Sequence, residues 1–109
     1  MTVSSFAKES GFNCVCMPTP HRTINGAYVG DLLSWVMGKA EPDNVWITIM
    51  SNLNIVAVST LVDVACVVLA ENVTLDEGVL DIAKAKGVNV FSTSLSSYEA
   101  AIKISGIIS

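Results

Sequence analysis

At 109 residues, 51% hydrophobic and 15% charged, the chain has the size and apolar content of one domain, 1–109, able to bury a core without disulfide or metal staples. A formal charge of −4 and the absence of any Lys/Arg cluster argue against nucleic acid or an anionic membrane surface as partner. No apolar run approaches the roughly 20 residues that a membrane-spanning helix needs.

Residues 3–10 read as a short helix with Val3, Phe6 and Ala7 on one side and Gly11 as its stop. Phe12–Met17 reads as a strand, ended by the stiff turn Pro18-Thr19-Pro20. On that strand Cys14 and Cys16 would share one face with Phe12. Thr23–Asn25 suggests a short strand before Gly26. Val29, Leu32, Leu33, Val36 and Met37 then repeat at helical spacing, closed by Gly38 and Pro42.

Val45–Met50 and Ala65–Ala70 are dense apolar runs, suited to strands buried on both faces of a parallel sheet. Between them Ile55, Val56, Val58, Thr60 and Val62 are β-branched and favour strand. A parallel crossover nevertheless needs a covering helix, which decides the segment as helical. Asn52 or Asn54 would cap it, with Asp63 near its end. Thr74-Leu75-Asp76-Glu77 has the form of a capping box. It opens a helix with Val79, Leu80, Ile82 and Ala83 inward, basic at Lys84 and Lys86 and stopped by Gly87. Val88–Phe91 is the next strand. Ser96-Ser97-Tyr98-Glu99 is a second capping box, starting a helix through about Ile107. Its apolar residues, Tyr98, Ala101, Ile102, Ile104, Ile107 and Ile108, exceed one narrow stripe. That helix is expected to cover the sheet and meet a further surface, which points to a homo-oligomer, a dimer.

The expected fold class is α/β, a mainly parallel sheet with covering helices in two or three layers. In such sheets ligands bind outside the carboxyl ends of the strands. The loops there are Ser51–Asn54, Glu71–Thr74 and Ser92–Ser96. Ser51, Asn52, Asn54, Thr93, Ser94 and Ser96 are the candidate ligand-binding residues, since hydroxyls, amides and helix-start N–H groups can hold a phosphate or carboxylate. The alternative is that they only cap helices and make turns.

No G-x-x-x-x-G-K-[ST] or G-x-G-x-x-G motif is present, and no paired carboxylates stand out. Asp31, Asp63, Asp76 and Glu99 read as helix-terminus or solvated charges, and Trp35 and Trp46 as packing residues. No catalytic set and no cofactor is predicted. Three cysteines fit reduced thiols better than a disulfide framework. Cys66 reads as a core residue, and Cys14 and Cys16 as buried strand thiols. A metal site built on Cys14 and Cys16 would need about four ligands, and the lone His21, read as an exposed loop residue, is the only obvious addition. Met1–Ser5 lacks the pattern of a signal peptide, so a cytoplasmic location is expected.

From about Trp46 onward, an apolar strand, a polar loop, "IVAV", a second strand and "LDEGVLDIAKAKGVNVFSTSLSSYEAA" resemble the DRTGG domain, a small α/β module named for its motif residues. The front half, "NGAYVGDLLSWVMGKAEPDNVWITI", is similar to a subgroup of stand-alone proteins often encoded beside iron hydrogenase and electron-transfer genes. Where the family's Asp-Arg pair would follow the first strand, this chain has Ser51-Asn52. Where Thr-Gly-Gly would follow the second, it has Ala70-Glu71-Asn72. The naming signature is absent, and its role does not carry over to these positions. Related domains accompany CBS domains in regulatory proteins, and a similar fold begins HPr kinases. The resemblance implies a non-catalytic regulatory or scaffold domain that self-associates. It makes a nucleotide or phosphorylated metabolite the candidate ligand and a hydrogenase-system protein a candidate partner. With Cys14-x-Cys16 it also raises an alternative, a redox, metal or iron–sulfur accessory of a hydrogenase or electron-transfer system.

Overall fold

Two four-residue runs, Val45–Thr48 and Cys66–Leu69, are buried at every position and form the centre of the sheet. The computed structural model describes residues 1–108. In chain order the elements are α1 (Val3–Ser10), β1 (Asn13–Cys16), β2 (Ala27–Val29), α2 (Leu33–Lys39), β3 (Val45–Thr48), α3 (Asn54–Val62), β4 (Cys66–Leu69), α4 (Glu77–Ala85), β5 (Val90–Ser92) and α5 (Ser97–Ile108). The sheet order is β1-β5-β4-β3-β2. β2 through β5 pair in parallel, and β1 lies antiparallel to β5 at one edge. The three central strands predicted from the apolar runs are therefore parallel, and the fold is α/β.

Alternation along each strand sorts the core into two layers. Val45, Ile47, Cys66, Val68 and Phe91 pack with Val3 and Phe6 of α1 and Ala100 and Ile104 of α5. Trp46, Val67, Leu69 and Val90 face the other way, against Val36 of α2, the valines of α3 and Ala83 of α4. The result is three layers. Trp46 is wholly buried, and its indole N–H donates to the Gly30 carbonyl at 2.9 Å. Burying a ring of that size contributes about 3 kcal/mol.

Several local expectations are corrected. Thr23–Asn25 is not a strand: Thr23 makes an isolated bridge to Thr2, and the strand is Ala27–Val29, beyond Gly26. Val29 belongs to β2, paired with Ile47, and α2 starts only at Leu33. The 29/32/33/36/37 spacing fits a helix face, yet ladder bonds to β3 claim the segment's beginning. In consequence Val36 alone of that set is fully buried, while Leu32 and Met37 are exposed. Gly38 lies inside α2 rather than closing it.

Phe12 and Cys16 do not share a face. The register shifts between Cys14 and Cys16, so Phe12 joins one core layer and Cys16 the other, and Cys14 is exposed. A bulge adds one residue and breaks the two-residue period. The Thr74–Glu77 capping box does not form either. α4 begins at Glu77 with Asp76 as N-cap and no side-chain cap bond, because Leu75 is drawn toward the core. The Ser96–Glu99 box does form, with Glu99 N–H donating to Ser96 Oγ at 3.1 Å and Ser96 N–H to Glu99 Oε1 at 3.2 Å. The fifth strand is Val90–Ser92, starting two residues later and ending one later than the expected Val88–Phe91. α3 is helical despite its β-branched residues, and Asn52 Oδ1 accepts from the Asn54 N–H at 2.9 Å at its start.

At the end of the sheet where β3 and β4 begin, Arg22 bridges Asp43 at 2.8 Å and Asp63 at 2.7 Å. It also donates to the Asp63 carbonyl at 2.9 Å, at the C-cap of α3. Burial alone would lower the Arg22 pKa, but the two carboxylates hold it above its ordinary value. Among the described residues no helix is long and apolar enough to cross a membrane.

Candidate functional site

All four parallel strands finish at one end of the sheet, and β1, running the other way, starts there. The loops after β4 and β5 are stitched together by backbone bonds. Thr93 N–H donates to the Leu69 carbonyl at 2.9 Å, Asn72 N–H to Thr93 at 2.9 Å and Glu71 N–H to Leu95 at 2.8 Å. The β4 loop is a tight turn: Val73 N–H reaches the Ala70 carbonyl at 3.2 Å, with Glu71 and Asn72 at φ of 58° and 60°. Two successive left-handed residues are what a type I′ turn requires. With their amides committed to Leu95 and Thr93, these residues build a wall rather than a cradle of free N–H groups.

Between this wall, β5 and the start of β1 lies an open groove of about 520 Å³. Phe12, Asn13, Asn72, Thr93, Ser94 and Lys103 are among its lining residues, joined by Thr74 and Ser92. Asn13 Nδ2 donates to Ser92 Oγ at 3.0 Å, and Thr93 Oγ1 accepts from the Leu95 N–H at 3.2 Å. Lys103 reaches in from α5, its Nζ 5.4 Å from the centre of the Phe12 ring. Among the described residues it is the one charged side chain lining the groove.

Of the six residues singled out in the sequence, Thr93 and Ser94 line this groove. Ser96 is engaged in the α5 capping box. Ser51, Asn52 and Asn54 stand at the exit of β3, beyond β4, and line no part of the groove. The β3 exit is organised by Asp31 instead. Its Oδ1 accepts from Thr48 Oγ1 at 2.8 Å and from the Ile49 N–H at 2.9 Å, tying the end of β2 to the end of β3. Asp31 is thus a structural acceptor rather than a free helix-terminus charge.

Asn72, Thr74 and Ser92 lie in the rim loops expected from the sequence without being among its six candidates, and Asn13 and Lys103 lie outside those loops. Asn13 comes to the rim because β1 is antiparallel, and Lys103 because α5 packs over α1. Neither placement has a local signal. The cysteines do not converge on one ion: Cys14 is exposed on the edge strand, and Cys16 is buried, its thiol 3.3 Å from the Val88 carbonyl. His21 is exposed, and among the described residues no group of three or more His, Cys, Asp or Glu side chains could hold a metal.

The DRTGG domain model matches residues 22–107, most of the chain. This chain belongs to the DRTGG domain family. A solved structure with the same fold is the regulatory region of Clostridium perfringens pyrophosphatase, its CBS and DRTGG domains complexed with the activator diadenosine tetraphosphate. The two superpose with a TM-score of 0.75 at 12% identity, over 94% of this chain and 45% of that one. This chain therefore spans less than half the length of that structure. No curated protein matches it. In this DRTGG chain Glu71 and Asn72, in the turn after β4, both hold a left-handed backbone.

Proposed function

We propose that this DRTGG domain is a non-catalytic regulatory module that binds a small anionic ligand or a nucleotide in the groove between β1, β4 and β5. The carrying observation is Lys103, aimed over Phe12 at a rim of hydroxyls and amides. A lysine supplies one charge and three donors, and Asn72, Thr74, Ser92 and Ser94 add neutral hydrogen-bonding partners. Among the described residues Lys103 is the one titratable side chain lining the groove, which leaves it without an acid–base partner there. A regulatory role agrees with the family, and a nucleotide agrees with the diadenosine tetraphosphate complex of the Clostridium perfringens neighbour. With one cation in the groove, ligands carrying one or two charges are expected to bind better than polyphosphates.

The module works as a self-associated scaffold in the cytoplasm. Exposed Tyr98 and Ile102 on α5 support a further contact surface. On the family resemblance alone, a protein of an iron hydrogenase or electron-transfer system is its candidate partner.

A thermal-shift series with inorganic phosphate, AMP, ATP and diadenosine tetraphosphate tests the groove. A ligand at about 100 times its Kd should stabilise the fold by about 2.7 kcal/mol and raise the Tm by several degrees. Lys103→Ala and Ser94→Trp should abolish the response, whereas Asn52→Trp, at the β3 exit, should leave it. Absence of a shift with every compound, or equal loss in all three variants, counts against this reading.

A further inference from the structure

The two edges of the sheet are unlike. β1 carries the bulge between Cys14 and Cys16 and is followed by Pro18 and Pro20. Bulges and prolines are the usual means by which a sheet edge is closed to further pairing. β2, at the opposite edge, has neither a bulge nor a proline; its protection is its length of three residues alone. Asn25–Gly30 contains no proline and no acidic or basic residue, and β2 pairs with β3 without a register shift.

In a parallel ladder alternate residues bond to the same neighbour. The Gly26 carbonyl accepts from Val45 N–H at 3.0 Å, and Gly30 N–H donates to the Ile47 carbonyl at 3.1 Å. Residues 26, 28 and 30 therefore face β3, and the backbone groups of Ala27 and Val29 point outward. Both residues are exposed.

We propose that β2 pairs antiparallel with β2 of a second copy about a two-fold axis at Tyr28, joining two five-stranded sheets into one. This rests on the self-association reading and assigns its surface. Under that axis Ala27 stands opposite Val29 of the second copy, and Val29 opposite its Ala27. Outward-facing residues meeting in this way form the narrow pairs that exchange both bonds, so every outward donor finds an acceptor. The strip is neutral, so two chains of net charge −4 can meet there without setting acids against acids. Four backbone bonds are too small an interface alone, since stable ones bury about 800 Å² per partner. Exposed apolar side chains follow along the chain from the edge: Val29 is 47% exposed, Leu32 61% and Trp35, with Lys39 Nζ 4.3 Å from its ring centre, 58%. Trp35 is of the type enriched in interface cores.

Analytical ultracentrifugation of the full chain, with hydrogen exchange across a dilution series, tests this. The wild type should sediment as a dimer, and the Ala27 and Val29 amides should gain protection as concentration rises. Val29→Pro removes an N–H that points away from β3, so the internal ladder is retained. It should weaken association at least tenfold. Val29→Lys, at an exposed position, should do the same without touching the backbone, and circular dichroism confirms that each variant is folded. A monomeric wild type at high micromolar concentration overturns both the edge pairing and self-association. A dimer that both folded variants form as tightly as the wild type overturns the edge pairing alone. Protection at Ala27 and Val29 appearing only when another protein is added also overturns it, and assigns the edge to that protein's strand.

Discussion

Glu71 and Asn72 hold a left-handed backbone side by side, in the tight turn after β4. A β-carbon there meets the adjacent carbonyl oxygen, at a cost of about 1–2 kcal/mol for an ordinary residue and less for Asn, which visits this region readily. Glycine relieves that strain but loses more chain entropy on folding, about 0.5–1 kcal/mol. Glu71→Gly is therefore expected to stabilise the fold by about 0.5–1 kcal/mol, while Asn72→Gly should be close to neutral. Urea unfolding of the two variants checks the pair, and a destabilised Glu71→Gly would show that the Glu71 side chain contributes something the backbone argument omits. Neither residue announces this conformation in the sequence. The turn is imposed by the amide bonds to Leu95 and Thr93, across the sheet.

Among the elements, the connection after β1 depends on one buried side chain. Asn89, just before β5, accepts from Thr19 N–H and donates to the Thr19 and Ala65 carbonyls, all at 2.9 Å. It is 1% exposed, so these bonds have no competing water. Asn89→Leu fits the volume but strips three backbone groups of this partner, and a loss of about 3 kcal/mol is expected. Thr19→Val, which removes only the half-buried bond to the Gly87 carbonyl, should cost about 1 kcal/mol. Denaturant midpoints of the two variants separate the cases, and equal effects would mean that the strap is not held by Asn89. At this scale the sequence was legible wherever pattern and length agreed. α1, the Ser96 box and the buried strands are readable from periodicity and capping residues, and α3 from the crossover that its flanking parallel strands require, against its β-branched pattern. β2 was not, because three residues between two glycines carry too little pattern to outweigh the helix-like spacing that follows. Thr74 misled for a related reason: its capping pattern is local, but the burial of Leu75 is not.

For the whole molecule, the buried thiols give a pH dependence. Burial pushes the Cys66 thiol well above the ordinary thiol range, against a weaker pull from Arg22. Cys16 is raised as well, by burial first, only partly offset by the Val90 backbone hydrogen bond. In the unfolded chain both thiols ionise near pH 8.5, while in the folded chain they remain protonated beyond it. Their contribution is therefore complete below about pH 8.5 and is lost as the pH rises, by up to about 1.4 kcal/mol per pH unit for each thiol. Stability measured between about pH 7 and about pH 10 should decline over the alkaline part, and the Cys16→Ala/Cys66→Ala variant should decline less steeply. An unchanged alkaline slope in that variant would assign the dependence to other groups.

The sequence alone determined the α/β class, the three buried parallel strands and their covering helices, because each rests on interactions within a dozen residues or on apolar runs that must be buried. It also pointed to the loops after β5, whose Thr93 and Ser94 line the groove. Only the tertiary structure decided that Asn13, Asn72 and Lys103 join them and that Ser51, Asn52 and Asn54 do not. Strand order does this: β4 stands between the β3 and β5 exits, while the antiparallel β1 and the overlying α5 bring distant residues to the same rim. Strand order is set by long-range pairing and packing, for which no spacing along the chain is a measure.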